Sequence, residues 1–171
     1  MYNITSMSKG GNKGFTVVET LIVLAIAATI IIVVLLAVPS LQRQSRNTAA
    51  KVAAGAIASG WTAEVGNANG GAVAVSTSLN IIYLNNAPYS SNKGISVFTA
   101  TGSSSTVVKY GAQAISGSGT DAISSNTVVL YTGVTCPSPN TGSSIALGTG
   151  TSTQAAIVYS IEPARVGCVQ G

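Results

Sequence analysis

The sequence predicts an α+β fold in which a long N-terminal helix, transmembrane in its first half, packs on a small antiparallel β-sheet. Three features predict this class: an apolar run over residues 15–38, an alanine-rich helical stretch after Pro39, and short β-branched runs beyond Gly66. One helix on an antiparallel sheet is the simplest arrangement, because the helix would otherwise have no partner for its inner face.

The apolar run reads FTVVETLIVLAIAATIIIVVLLAV and contains only three threonines and Glu19 as polar residues. As a helix rising 1.5 Å per residue it reaches about 35 Å, enough to cross the hydrocarbon core of a bilayer. It is too long for the apolar region of a cleaved secretory signal, and no small-residue cleavage site follows it. Residues 15–39 are therefore predicted to be a membrane anchor.

Residues 40–62 are predicted to form the amphipathic second half of the same helix, ending near Trp61. Pro39 disfavours a straight helix, so we expect a bend or a local loosening at that point. Apolar or small side chains recur at helical spacing in this half, with charged and amide side chains elsewhere around it. The recurring residues are Leu41, Thr48, Val52 and Ala56.

Residues 63–171 are predicted to form a β-rich head, because short β-branched or aromatic runs alternate there with Gly/Ser/Thr-rich turns. The last of these runs contains IVYSI, which would place apolar side chains on both faces of a strand. That pattern favours an interior position over a solvated edge. The predicted strands cover residues 72–76, 79–84, 94–100, 106–115, 127–135 and 155–161.

Charged residues make up only 7% of the chain, against roughly a quarter in an average soluble domain. Such a low charge density suits a subunit that packs against copies of itself. Most of the basic residues flank the apolar run, which is the usual place for membrane-anchoring charge. These flanking residues are Lys9, Lys13, Arg43, Arg46 and Lys51.

The remaining basic residues, Lys93, Lys109 and Arg165, are separated along the sequence. They form no basic stripe of the kind that tracks phosphates. DNA is therefore a possible partner that the sequence does not support, and these three side chains would be its contact residues.

Cys136 and Cys168 are the only cysteines, and both follow the apolar run. An even count in an exported domain favours a disulfide, which would stabilise the head by about 3–4 kcal/mol on the chain-entropy model. Two unrelated buried thiols are the alternative. Because the chain has no histidine, the two cysteines cannot complete a tetrahedral metal shell, and we predict no metal site.

No arrangement of residues predicts catalysis. Histidine is absent, and no general base accompanies the abundant serines. We therefore predict that the protein is not an enzyme and has neither a cofactor nor a small-molecule substrate. The acidic residues are scattered at Glu19, Glu64, Asp121 and Glu162.

The segment Gly14-Phe15-Thr16-Val17-Val18-Glu19 is the most informative in the chain. A carboxylate at the start of an apolar run is tolerated because the helix dipole favours an anion there. A cut between Gly14 and Phe15 would place a new amino group at the same end. Glu19 of one copy could then pair with that ammonium group on a neighbouring copy, and the pair would direct the register of packing.

This segment resembles the class III signal of type IV prepilins and the related pseudopilins, in which a short basic leader ends in glycine. Phenylalanine usually follows, with a glutamate four residues later. The resemblance implies a pilin-like fold, a leader over residues 1–14, and cleavage after Gly14 by a prepilin peptidase that also N-methylates Phe15. It implies that Glu19 guides subunits, brought to an assembly platform, into a homo-oligomeric helical filament.

Two features depart from the family's pattern. Ala28 stands where many members have a helix-breaking glycine, and Pro39 comes slightly later than the usual proline. The part of the helix that loosens during filament assembly is therefore expected to differ or to be shifted. The resemblance extends over roughly residues 9–39, and beyond them only the layout of helix, sheet and cysteine pair matches.

The family resemblance implies a subunit held in the cytoplasmic membrane and later displayed in a cell-surface pilus that supports adhesion, twitching motility or DNA uptake. Two alternatives stay open. One is a pseudopilin of a type II secretion system, some of which bind calcium through clustered carboxylates. Only Asp121 and Glu162 are available for that purpose in the second half. The other is a plain single-pass membrane protein that keeps its leader and has no use for Glu19.

Overall fold

A computed structural model describes residues 14–78, 81–85, 87–90 and 95–171, so the predicted leader, apart from Gly14, lies outside the described residues. The chain divides into two compact units, Met1–Ser40 and Leu41–Gly171. The described secondary structure begins with one long helix, α1 (Val17–Asn67), and continues with short strands. This is the predicted α+β architecture.

Helix α1 contains Pro39 and continues beyond the predicted end at Trp61. Proline has no N–H to donate, so the carbonyl one turn before it lacks its usual helical partner. The helix ends where Asn69 and Gly70 adopt positive φ angles of 50° and 77°. The Gly70 N–H donates to the Val65 carbonyl at 2.9 Å, which satisfies one of the last carbonyls of the helix.

Thirteen strands follow within the described residues. They are β1 (Val75–Ser78), β2 (Ile81–Leu84), β3 (Ala87–Ser90), β4 (Ser96–Thr101), β5 (Val107–Tyr110), β6 (Thr120–Ile123), β7 (Thr127–Thr132), β8 (Val134–Thr135), β9 (Thr141–Gly142), β10 (Ser144–Ala146), β11 (Gly148–Thr149), β12 (Ala155–Ile161) and β13 (Arg165–Gln170).

The described strands form four sheets instead of the single small sheet that the sequence predicts. The largest has five strands in the order β4-β7-β12-β13-β9, and a second has the order β10-β5-β6. The others are β1-β2-β3 and β11-β8. Most pairs are antiparallel, as predicted, but β4 pairs with β7 in parallel and β5 pairs with β6 in parallel.

The five-stranded sheet is the middle layer of the head, because its two faces belong to different hydrophobic clusters. Ile157 packs in the cluster that contains the helix, whereas its neighbour Val158 packs in the cluster that contains β5 and β6. Strand β12 is buried from Ala155 to Ser160, which confirms the predicted interior position of IVYSI. Alternation along a strand sends successive side chains to opposite faces, so this sheet needs a cover on both sides.

The second half of α1 covers one face of this sheet with a row of buried alanines, together with Ile57 and Trp61. Ala54 and Ile57 are fully buried, and Trp61 is 1% exposed at the end of the row. Leu41 and Val52 of the predicted apolar stripe are 62% and 57% exposed. The predicted stripe therefore does not face the sheet. The face that does is rich in alanine, and these small side chains let the helix backbone approach the sheet closely.

The strand predictions at residues 79–84, 94–100, 106–115, 127–135 and 155–161 coincide with β2, β4, β5, β7 and β12, and the prediction at residues 72–76 overlaps the start of β1. The sequence analysis missed β3, β6, β13 and the short strands between Thr141 and Thr149. Part of the predicted strand at residues 79–84 lies outside the described residues, which resume at Ile81.

Candidate functional site

The predicted cleavage site lies in exposed backbone immediately before the helix. Gly14, Phe15 and Thr16 have no regular structure, and the Phe15 side chain is 87% exposed. A Cβ atom placed on Gly14 would meet no described atom within 4 Å. Packing among the described residues therefore does not explain why position 14 is a glycine.

Glu19 forms a capping box with Thr16 at the start of α1. The Thr16 N–H donates to Glu19 Oε2 at 2.8 Å, and the Glu19 N–H donates to Thr16 Oγ1 at 3.2 Å. These reciprocal bonds satisfy two backbone donors that a helix start leaves without partners. The Thr-x-x-Glu spacing is the sequence signal of such a cap, although the cap was not among the predictions from the sequence.

The capping box changes how Glu19 is interpreted. A single-pass membrane protein does have a use for this carboxylate, since the cap would stabilise its helix start. Both bonds from Thr16 go to Oε2, so Oε1 retains capacity to accept from another group. The carboxylate can therefore serve as a cap and also bind a cation near the helix start.

The apolar part of α1 is exposed on every side. All residues from Gly14 to Ser45 are exposed, including large side chains such as Leu24, Ile31 and Leu36. The Thr20 and Thr29 hydroxyls donate to backbone carbonyls three residues earlier, at 2.8 and 2.7 Å. These two hydroxyls thus find partners within the helix, as a bilayer demands of polar groups. Its length and composition suffice to span a membrane.

Cys136 and Cys168 form a disulfide with a Cα–Cα distance of 5.8 Å, as the sequence predicts. Cys168 lies on β13, fully buried in the cluster on the side of the sheet away from the helix. The bond ties β13 to the segment after β8. It therefore crosslinks the C-terminal strand of the head to the preceding loop region.

The two carboxylates weighed as calcium ligands are separately engaged. Arg46 donates to both carboxylate oxygens of Glu162, at 3.0 and 2.9 Å. Asp121 is fully buried and accepts from the N–H groups of Ser116 and Gly117, each at 3.0 Å. Among the described residues, no three potential His, Cys, Asp or Glu ligands lie together.

The Asp121 carboxylate also accepts from the Ser116 hydroxyl at 2.8 Å and from the Tyr131 hydroxyl at 2.8 Å. Burial raises the pKa of Asp121, but the hydrogen bonds from Ser116, Tyr131 and Gly117 outweigh it and hold the pKa below its ordinary value. Burial and the same contact raise the pKa of Tyr131. The carboxylate thus links the loop before β6 to Tyr131, near the end of β7.

Replacing Asp121 with alanine is expected to destabilise the head by about 3–5 kcal/mol, because four buried or half-buried donors lose a charged acceptor. The head's stability should hold steady down to about pH 4 and fall as the pH drops through the lowered pKa of Asp121, since a depressed carboxyl pKa stabilises only above it. Urea unfolding of the full chain in detergent micelles, followed by Trp61 fluorescence, measures both effects.

Tyr131→Phe is the matched control, since it removes one donor and keeps the charge. It should cost about 1–2 kcal/mol and retain the acid-dependent loss of stability. An Asp121→Ala variant with the wild-type pH profile below pH 4 would show that another group carries the acid dependence.

The structure places two of the three residues considered for DNA contact. Lys109 is exposed on β5, and Arg165 is exposed at the start of β13. Lys93 lies outside the described residues. Lys109 and Arg165 belong to different sheets, β10-β5-β6 and the five-stranded sheet.

No family model, curated protein or solved structure matches this chain.

Proposed function

We propose that this chain is the precursor of a structural subunit of a type IV pilus. One observation carries the proposal: the Gly14–Phe15 bond is exposed directly before an all-round apolar helix that has Glu19 in its first turn. Such a helix must be covered by something apolar, since large apolar patches on soluble proteins mark interaction or membrane sites. A bilayer covers it before assembly, and other copies of the chain cover it in the filament.

In this proposal the helix first anchors the chain in the inner membrane. A prepilin peptidase removes residues 1–14 and methylates the Phe15 amine. The assembly platform then moves the subunit into a homo-oligomeric filament on the cell surface, where the helices form the core. Adhesion, twitching motility and DNA uptake are the tasks that such a filament would serve, and the exposed loops of the head would set which one applies.

Glu19 has two compatible roles in the proposal. The bonds from Thr16 hold its carboxylate at the start of the helix, the same end at which cleavage would free the Phe15 amine. A neighbouring copy could bring its own amine to that carboxylate. Because a capping role alone would also explain the residue, cleavage is the sharper test of the proposal.

The expected mature chain begins at Phe15 and carries a methyl group on its amine. Intact-mass spectrometry of the protein recovered from membranes and from sheared surface filaments measures this terminus. Gly14→Val should accumulate with its leader, because the fold leaves room for a side chain there and only the peptidase would reject it. Gly66→Ala is the matched control: a Cβ there also meets no described atom within 4 Å, so processing should be normal.

The outcomes separate the alternatives. A wild-type chain that begins at Met1 would contradict the pilin proposal and favour a plain membrane protein. A processed chain that is absent from surface filaments, in cells with a secretion defect when the chain is deleted, would favour a type II secretion pseudopilin.

A further inference from the structure

A clamp joins α1 to the turn between β12 and β13. The Arg46 guanidinium binds the Glu162 carboxylate through two nitrogen–oxygen contacts, at 3.0 and 2.9 Å. Asn47 donates to the Glu162 carbonyl at 3.2 Å and accepts from its N–H at 2.8 Å. These bonds hold the turn against α1 near the start of the half of the helix that packs on the sheet.

Three further cations lie near this clamp along the helix and the β12–β13 hairpin. Arg43 precedes Arg46 by three positions and so is its neighbour on the helix surface. Arg165 pairs with Ile161 in the hairpin that carries Glu162. Lys51 lies one helical turn beyond Asn47. We call the set Arg43, Arg46, Lys51 and Arg165 the basic collar.

The basic collar is under-neutralised. Among the described residues, the ion pair of Arg46 with Glu162 is the only salt bridge, and Arg43, Lys51 and Arg165 are exposed without a carboxylate partner. The basic collar thus has four positive charges and only one carboxylate partner among the described residues, that of Glu162. Three positive charges on this part of the head are available to a partner.

A second copy of the chain is a poor partner for these charges. Its described side-chain carboxylates are already engaged: Asp121 is buried under hydrogen bonds, and Glu162 is held by Arg46. Glu64 accepts from Asn85 at 3.1 Å, and Glu19 lies in the apolar segment. The partner must therefore bring its own negative charge. Arginine binds phosphate oxygens well because its planar fork matches their geometry.

We propose that the basic collar binds the phosphate headgroups of anionic lipids at the surface of the membrane that residues 15–38 span. Chain length favours this partner over nucleic acid. Arg43 follows Val38 by five residues, which reach about 7.5 Å as a helix and at most about 18 Å extended. The headgroup layer, roughly 5–8 Å deep on each side, lies within that reach.

The charge pattern supports the same partner. In the proposed orientation the head is exported, so the collar lies just beyond the exported end of the span. Basic residues there oppose the usual bias of positive charge toward the cytoplasmic side. A local counter-charge from anionic lipid removes that conflict. The contact would hold the monomer's head at the bilayer surface until the subunit leaves for the filament.

This inference depends on the membrane-anchored state of the proposed function, but not on leader cleavage or polymerisation. The test uses the full uncleaved chain, so that its failure is distinct from a failure of the processing experiment. The chain is equilibrated in nanodiscs of one-third phosphatidylglycerol and two-thirds phosphatidylcholine. The lipids crosslinked to the head are then quantified by mass spectrometry at low and high salt.

Wild-type protein should enrich phosphatidylglycerol at the head, and high salt should weaken the enrichment by screening. Each basic residue near an anionic surface contributes about a fivefold preference, so Arg43→Gln with Arg165→Gln should reduce the enrichment by roughly 25-fold. Lys109→Gln is the charge-matched control for the single variant Arg43→Gln, which should reduce the enrichment about fivefold, because each removes one positive charge. Lys109 lies on β5, in the sheet on the far side of the middle layer from the helix, and its substitution should leave the preference unchanged.

A loss in Lys109→Gln equal to that in Arg43→Gln would overturn the proposal, since net charge alone would then explain the preference. Equal enrichment in the wild type and in the double variant would overturn it as well. An added DNA oligonucleotide probes the other phosphate source: if it binds through Arg43 and Arg165 while no lipid preference exists, the collar is a nucleic-acid site. Unchanged hydrogen exchange of β12 in the variants establishes that the head is folded.

Discussion

Glu19→Gln is expected to reduce the yield of filaments by roughly a hundredfold or more, because the Phe15 ammonium would lose its charged partner in the filament core. The same substitution should leave the helix start intact. Glutamine serves at this position of a capping box as well as glutamate does, since its amide oxygen can accept from the Thr16 N–H. The variant therefore separates the charge of Glu19 from its role as a cap.

Electron microscopy of surface filaments, together with mass spectrometry of the chain, gives the measurement. Thr16→Val is the matched control, because it removes the hydroxyl that caps the Glu19 N–H and keeps the carboxylate. That control should assemble filaments, with no more than fraying of the first helical turn. If Glu19→Gln assembled like the wild type, Glu19 would be a helix cap only, and the proposed pairing with the Phe15 amine would be wrong.

Trp61→Ala should destabilise the head by about 3–5 kcal/mol, the usual cost of truncating a large buried aromatic residue. Trp61 is 1% exposed, and its Nε1–H donates to the Thr153 carbonyl at 2.9 Å. It packs in the cluster between α1 and the sheet with Leu130 and Ile157. A cavity at this position would loosen the contact between the helix and the sheet over the whole head.

Hydrogen exchange of the β12 amides in the full chain measures this loss, since Trp61 is the only tryptophan and its fluorescence disappears with the substitution. Protection should fall by about 10²–10⁴, because strand exchange reports the global opening of the head. Trp61→Phe, which keeps most of the volume and loses the bond to Thr153, should retain most of the protection. Wild-type protection in Trp61→Ala would mean that the helix contributes little to the stability of the sheet.

The central strands were predictable because their patterns are strong and local. Residues 155–161 are apolar on both faces and form β12 as expected. Strand β13 was missed because glycine and cysteine interrupt its apolar pattern, although Gly167 lies where a Cβ would collide with the Tyr159 ring. Its place in the sheet depends on that cross-strand packing, which no single segment reveals.

The face of α1 that packs on the sheet could not be predicted from the size of its side chains. Leu41 and Val52 are large apolar residues of the second half, yet they are exposed, while the small residues Ala50 and Ala54 are buried. Side-chain size alone favours the first pair. Close approach of the helix backbone to a sheet favours the second, and only the shape of the sheet decides between them.

By itself, the sequence determined the features that depend on neighbouring residues: the apolar run, the helix that contains it, the glycine and phenylalanine before it, and the central strands. Hydrophobic length and periodicity are local properties, so one segment suffices to show them. Only the tertiary structure decided the partners of residues far apart in the chain, such as Arg46 with Glu162 and Trp61 with Thr153. Such pairs form because the fold buries polar groups wholly or in part, and each buried group then requires a hydrogen-bond partner within the protein.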